Sequence, residues 1–242
     1  MIHVGTSGWQ YKDWRGVLYE DGLPQDRWLE RYAQLFSVVE VNNSFYRLPE
    51  RTTFERWRRR TPADFTFVVK ASRYLTHIKR LANVADGIAR FYAGIEPLVE
   101  SGKLGPVLWQ LPGNFKRDDE RLANALRELP PGRHCFEFRD ASWFTPEVYD
   151  LLRAHQVALV IGDRPEVASF QTHETTADWT FVRFHHGHRG RRGNYSVSEL
   201  EEWKRRVARW RREREVFLYF NNDWEGFAIQ NALWMARQFR RS

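Results

Sequence analysis

Glu40 is the first residue of this chain whose setting invites chemistry. It lies in Val38-Val39-Glu40-Val41-Asn42-Asn43-Ser44-Phe45-Tyr46-Arg47-Leu48-Pro49, where closely spaced valines specify a strand and put Glu40 and Asn42 on one face of it. If the sheet is a closed parallel barrel, that face points inward, and a carboxylate near the strand end is a candidate acid or base. Three later runs offer matching groups. Lys70 ends Phe65–Lys70, Glu137 and Arg139 share a face of His134–Arg139, and Arg183 and His185 share a face of Thr180–His185. Glu40, Lys70, Glu137 and His185 form the expected catalytic set: a base, a cation that steadies a developing anion, a second acid or base, and an imidazole that carries protons near neutral pH.

Around this set the strand ends and adjoining loops supply groups expected to bind substrate: Thr6, Trp9, Asn42, Tyr46, His77, Gln110, Arg139, Asp163, Arg183, Asn221, Asn222 and Asp223. The loop Gly187-His188-Arg189-Gly190-Arg191-Arg192-Gly193-Asn194 adds Arg189, Arg191 and Arg192 among glycines. Glycines let backbone N–H groups approach an anion and arginine forks grip phosphate, so this is the expected anion-binding loop. A divalent metal held by His185 with Glu40, Glu137, Asp163 or Asp223 is a weaker reading, because no ligand spacing such as H-x-x-x-H supports it. No metal site is assigned, and any cofactor is unknown. The adjacent His185 and His186 face apart on a strand, and the sequence does not say which one faces the site.

The elements that must position these groups alternate between short β-rich runs and longer helical ones. Strands are expected at Ile2–Ser7, Val38–Asn42, Phe65–Lys70, Gly105–Pro112, His134–Arg139, Val157–Gly162 with Asp163 at its end, Thr180–His185 and Val216–Asn221. Helices are expected from Pro24 through Phe36, at Thr52–Arg60, Val84–Glu100 and Asp118–Leu129, from an N-cap at Ser142 to His155, and at Ser198–Arg212 and Trp224–Phe239. The stretch from strand six to Asp178 has no clear period. Eight βα units of this kind predict an α/β protein, a single-domain (β/α)8 TIM barrel over residues 1–242 with an irregular connection between strands 6 and 7. An open doubly wound sheet is disfavoured because Gly5-Thr6-Ser7-Gly8 lacks the dinucleotide-binding spacing.

Composition agrees. A chain of 242 residues suits one barrel, and 42% hydrophobic residues with 11 Trp and 17 Phe describe an ordered core rich in rings. A single cysteine, Cys135, excludes an internal disulfide and, with no signal-like opening or spanning apolar run, points to a cytoplasmic protein without membrane contact. Lys and Arg exceed Asp and Glu, 38 against 31, which favours anionic partners. The basic stretches Arg56–Arg60 and Lys204–Arg212 read as solvated outer helix faces anchored by tryptophans, with a nucleic-acid surface as the less favoured reading.

The motifs Gly5-Thr6-Ser7-Gly8-Trp9 with Tyr11 and Trp14, Val39-Glu40-Val41-Asn42 through Pro49, Phe67–Lys70 with Thr76-His77, Leu104–Leu108 with Gln110-Leu111-Pro112, Glu137-Phe138-Arg139 with Ser142-Trp143, Arg183 with His185, Tyr195, and Phe220-Asn221-Asn222-Asp223 with Ala228 and Asn231-Ala232 run in order along the whole chain. In this set the chain resembles the YecE-like family, domain of unknown function seventy-two. The resemblance implies a TIM barrel similar at fold level to metal-dependent sugar isomerases and abasic-site endonucleases, and it implies no reaction. His186 departs from the family's pattern, in which a single histidine before glycine is common.

These features lead to the expectation of an enzyme, of hydrolase or lyase type, that uses acid–base chemistry on a small anionic, phosphate-bearing substrate at the C-terminal mouth of the barrel. A nucleic-acid binding or processing protein and a non-catalytic ligand-binding barrel are the alternatives. The oligomeric state is not legible.

Overall fold

Each β-rich run becomes a strand, and the strands pair in the parallel order β1-β8-β7-β6-β5-β4-β3-β2. The computed structural model describes residues 1–163 and 172–240. Its strands are β1 (Ile2–Thr6), β2 (Val38–Val41), β3 (Thr66–Lys70), β4 (Leu104–Gln110), β5 (His134–Glu137), β6 (Ala158–Asp163), β7 (Trp179–Phe184) and β8 (Glu215–Phe220). The helices are α1 (Trp28–Ala33), α2 (Asn43–Tyr46), α3 (Arg51–Arg59), α4 (Ala85–Glu100), α5 (Asp119–Arg127), α6 (Pro146–Ala154), α7 (Val197–Trp210) and α8 (Phe227–Arg240). None of them is long and apolar enough to cross a membrane, among the described residues.

Alternation along the strands divides the core in two. Val39, Val41, Phe67, Val69, Trp109 and Phe136 pack in the main cluster, together with residues of the surrounding helices. Val38, Val68, Leu108, Cys135, Val160, Phe181 and Tyr219 form a second, smaller cluster that fills the barrel. Glu40, Lys70, Gln110, Glu137 and Arg183 continue this inner face toward the strand ends. Between β3 and β4 the register slips, from Phe67 opposite Leu104 to Val69 opposite Val107. Pro106 has no N–H for the ladder, so a bulge falls at Gly105-Pro106 and keeps Leu108 and Gln110 facing inward.

The barrel is nearly closed. Its seam, between β1 and β2, carries one bridge, Ser7 with Glu40, with the Gly8 N–H donating to the Glu40 carbonyl at 2.8 Å. Earlier in the two strands a side chain replaces the ladder. The hydroxyl of Tyr32, from α1, accepts from the Thr6 N–H at 3.0 Å and donates to the Val38 carbonyl at 3.0 Å. This close approach requires glycine at position 5, since a Cβ there would lie 2.5 Å from the Val38 carbonyl oxygen.

Two expectations change, and the irregular link between strands six and seven keeps its expected character over the described residues. The sixth helix starts at Pro146, not beyond Ser142, because proline suits the first helical position; Ser142 instead sits in a 3-10 turn, bonded to Asp140. The Tyr46 loop begins as a one-turn helix, α2, pinned by the Ser44 hydroxyl, which donates to the Val41 and Lys70 carbonyls at 3.1 and 2.8 Å. The β6–β7 connection has no helix over 172–178, while residues 164–171 lie outside the described residues.

If Tyr32 closes the seam, Tyr32→Phe strands a buried donor and a buried acceptor at a cost of about 1–3 kcal/mol. Urea unfolding would then show a lower midpoint with an unchanged slope. An unchanged midpoint would mean that the hydroxyl does not support the seam.

Candidate active site

Arg183 is the centre of the inner face at the mouth. It is 1% exposed and reaches across the barrel to two carboxylates, donating from Nη2 to Glu40 Oε1 at 2.6 Å and from Nη1 to Glu137 Oε2. Burial opposes its charge, but Glu137 and Glu40 more than restore it and raise its pKa. For Glu137, burial pushes the pKa up, yet Arg183, then His185 and Lys70, outweigh burial and hold it down at about 2. Glu137 is therefore an ionised anchor and a poor proton acceptor at neutral pH.

The next shell completes this network. Arg139 Nη2 pairs with Glu137 Oε1, and His185 Nε2 lies 3.2 Å from the same oxygen. Asn221 Nδ2 is 3.1 Å from His185 Nδ1. Nε2 also lies 3.4 Å from Arg139 Nη2, so it stands between a carboxylate that accepts and a guanidinium that donates. His185 thus faces the mouth, whereas His186 is exposed.

Lys70 stands apart from these pairs. It is 9% exposed, its ammonium rests 4.2 Å from the ring centre of Phe45, and it makes no hydrogen bond or ion pair among the described residues. Burial, then the charge of Arg183, pulls its pKa down to about 8 against the opposing pull of Glu40 and Glu137. The five charged groups are three cations and two carboxylates, and Arg183 and Arg139 already hold both carboxylates. The uncompensated charge is therefore that of Lys70.

The other expected residues divide by strand parity. Gln110 lies opposite Glu137 at the end of β4 and donates to the Leu111 carbonyl. His77, in a π turn after β3, packs edge-on against Phe45 at 4.8 Å; burial, then Lys70, Arg73 and Arg80, lowers its pKa to about 4. Asn42 and Trp9 help line a cavity of about 140 Å3 with Tyr11. Trp9 nevertheless packs its ring on Trp57 of α3, 5.0 Å away, and belongs to the outer core. Thr6 faces outward onto Tyr32, and Tyr46 is exposed beside Phe45. Asp163 also faces outward, where its carboxylate accepts from Trp203 Nε1 of α7 at 3.1 Å. Asn222 braces the Gly193 carbonyl, and Asp223 is half-buried, its pKa raised by burial. The structure thus brings Glu40, Lys70, Glu137, Arg139, Arg183, His185 and Asn221 together and leaves Thr6, Tyr46, Asp163 and Asn222 outside that cluster.

The arginine loop differs from its expected role. Its backbone donors already have an anion, because Glu199 Oε1 accepts from the His188 and Arg189 N–H groups at 2.6 and 3.1 Å, and its Oε2 closes the α7 capping box on Ser196. Arg189 pairs with Glu202 at 2.9 Å, and Arg192 with Glu225 at 3.0 Å; Arg191 lies 3.9 Å from Glu225. The chain's own carboxylates occupy the place that the glycine spacing suggested for a ligand. Arg183 likewise stands between Glu40 and Glu137, and no three His, Cys, Asp or Glu side chains converge as metal ligands among the described residues.

Three contributors escaped sequence reasoning. Phe45 sits under Lys70, and Tyr11 donates to the Ser7 carbonyl at 2.6 Å near Glu40 and Asn42. Glu199 carried the clearest signal, the Ser-x-x-Glu spacing from Ser196.

The family described as "Protein of unknown function DUF72" matches residues 3–242. The chain belongs to the DUF72 family. The UPF0759 protein YunF of Bacillus subtilis is 27% identical over 96% of this chain and 92% of its own. A DUF72 family protein of Thermotoga maritima has 32% identity and a TM-score of 0.88, covering 99% of both chains. The D-psicose 3-epimerase of Clostridium cellulolyticum, 12% identical with a TM-score of 0.60 over 99% of this DUF72 chain and 98% of its own, shares the fold alone.

Opposite stability effects are expected for the two central cations. Arg183→Met leaves two buried carboxylates without their shared partner and should cost about 3–5 kcal/mol. Lys70→Met removes a buried, unpaired charge and should stabilise by about 1–3 kcal/mol at pH 7. Because the Lys70 pKa is lowered on folding, the unfolded chain holds the extra proton above pH 8. The wild type therefore recovers stability as pH rises from about 8 toward the ordinary lysine value, and the advantage of Lys70→Met should fade over that window. Denaturant titrations at pH 7 and pH 10 test both signs. A destabilised Lys70→Met at pH 7 would contradict this electrostatic account.

Proposed function

We propose that this protein is an enzyme whose active site is the barrel mouth, acting by acid–base chemistry on a small substrate that carries an anionic group such as phosphate. The reading rests on one observation: a buried amine without a counter-ion, Lys70, lies beside carboxylates already committed to arginines. An unpaired buried cation favours an incoming anion. Arg139 supports it, since Nη2 is engaged with Glu137 and no hydrogen bond engages Nη1 among the described residues.

The roles follow from the electrostatics. Glu40 and Glu137 hold Arg183, and Glu137 orients His185. Lys70, its pKa lowered to about 8, is a group that gains and loses a proton close to neutral pH. The nucleic-acid reading rests on the net charge and the basic outer helices alone, where Arg60 pairs with Asp26 and Glu30 and Lys204 with Glu201.

A thermal-shift panel of inorganic phosphate, sugar phosphates, neutral sugars and short DNA and RNA, each with divalent metal or chelator, tests this reading. A ligand at a hundredfold excess over its Kd adds about 2.7 kcal/mol, or about 5–10 °C for a chain of this size. A phosphorylated small molecule should give such a shift, and the shift should vanish in Lys70→Met/Arg139→Gln. If nothing anionic shifts the wild type more than that variant, the mouth is not the anion site.

A further inference from the structure

We propose that Lys70 is a nucleophile that forms a covalent imine with an aldehyde or ketone bearing an anionic group. This deepens the reading of the mouth as the working site and rests on it.

The first support is the choice of side chain. Only six of the 38 basic residues are lysines, and of the two buried ones, Lys70 and Lys103, the Lys70 amine alone has no hydrogen-bond partner among the described residues. Lys103 is a structural donor to the Arg58 and Thr61 carbonyls, both at 2.8 Å. Lys204 pairs with Glu201 at 3.3 Å, Lys79 lies over Tyr74, and Lys12 and Lys116 are exposed. A structural cation at position 70 would be served by arginine, which forks onto carboxylates and is never deprotonated in a protein. Lysine differs in that it can offer a lone pair.

The second support is the surroundings. Lys70 ends β3 on the inner face, where its stem is buried while its amine keeps contact with solvent, since it is not among the sealed, unpartnered polar atoms. Phe45 packs under it, with Glu40 from β2, Glu137 from β5, Arg183 from β7 and His77 after β3 as its charged and titratable neighbours. Both carboxylates are braced by arginines, so neither ion-pairs with the amine and keeps it protonated. An apolar contact and a neighbouring cation together are the conditions that make a lysine amine nucleophilic at neutral pH.

The step balances without an outside oxidant or reductant. The neutral amine's lone pair adds to the carbonyl carbon, and the C=O π electrons move to oxygen, which takes up a proton. The carbinolamine then transfers a nitrogen proton to its hydroxyl and expels water, so that amine, carbonyl and one proton give a protonated imine and one water. The positive imine nitrogen keeps the charge that the pocket holds with protonated Lys70. It also withdraws electrons from the neighbouring carbon, the activation required for proton removal or carbon–carbon cleavage next to a carbonyl.

Wild-type protein is incubated with glyoxylate, a small anionic aldehyde, or with neutral propanal, each with sodium cyanoborohydride to trap the imine, and all six lysines are followed by peptide mapping. Lys70 should be labelled by glyoxylate about tenfold faster than Lys12 or Lys116 at pH 7.5, because a lowered pKa raises its neutral fraction more than it lowers its nucleophilicity. The rate should rise through pH 8 and level off, and glyoxylate should outpace propanal. Labelling of Lys70 no faster than that of Lys12 and Lys116 overturns the proposal. If phosphate or sugar phosphates stabilise the wild type through Lys70 and Arg139 while Lys70 stays unlabelled, the imine is rejected and the anion site stands. Labelling of Lys70 without any anion-induced stabilisation supports the imine and rejects the phosphate-bearing substrate.

Discussion

A guanidinium buried between two carboxylates is the constraint on which the mouth depends. Arg183 rises from β7 to meet Glu40 of β2 and Glu137 of β5, tying together three strands that are not neighbours in the sheet. Each of these groups alone would be costly in a barrel interior. Together they offset one another's charge, and the fork geometry of arginine lets one cation serve two acceptors at once. The remaining partners follow from that pairing, since Glu137 has a second oxygen that takes Arg139 and His185, and Asn221 fixes the ring from its other side.

The same pairing makes Lys70 distinctive. With both carboxylates held, the amine at the end of β3 lies near negative charge but is bonded to none of it, over the ring of Phe45. A fold optimised for stability alone would place an apolar residue there. The cost of a buried amine is of the kind that proteins bear at working sites, where stability is given up for reactivity. The strain is local, because the barrel below is filled by Val38, Val68, Leu108, Cys135 and Phe181, with the seam locked by Tyr32.

Much of this was legible in the sequence because a strand has period two. Once Val38–Asn42, Phe65–Lys70, His134–Arg139 and Thr180–His185 are read as barrel strands, parity alone puts Glu40, Lys70, Glu137, Arg139, Arg183 and His185 on one inner face. Parity also explains the misplacements. Thr6, Asp163 and Asn222 are one residue out of phase with the inner face and turn to the helices or to the arginine loop. What the sequence does not carry is which charges pair across the barrel. Glu40 and Arg183 are 143 positions apart, and only closure brings them together. The proposed roles therefore differ from the expected ones: Glu137, held by Arg183, is proposed as an anchor and not an acid or base, and Lys70 as the reactive amine and not a helper cation. The arginine loop misled for a similar reason, since a glycine-rich turn cradles any carboxylate, and Glu199 of the following helix is nearer than a ligand.

The claim that Arg183 takes both carboxylates and leaves Lys70 as a depressed, uncompensated amine is open to direct observation. With lysine labelled at the ε-carbon, the six lysines can be titrated individually by NMR and assigned by Lys70→Arg. The Lys70 resonance should titrate near pH 8, well below the ordinary lysine value of about 10.4. A Lys70 resonance that titrates at or above that ordinary value would show that a carboxylate pairs with the amine, and it would contradict the account of the mouth given above.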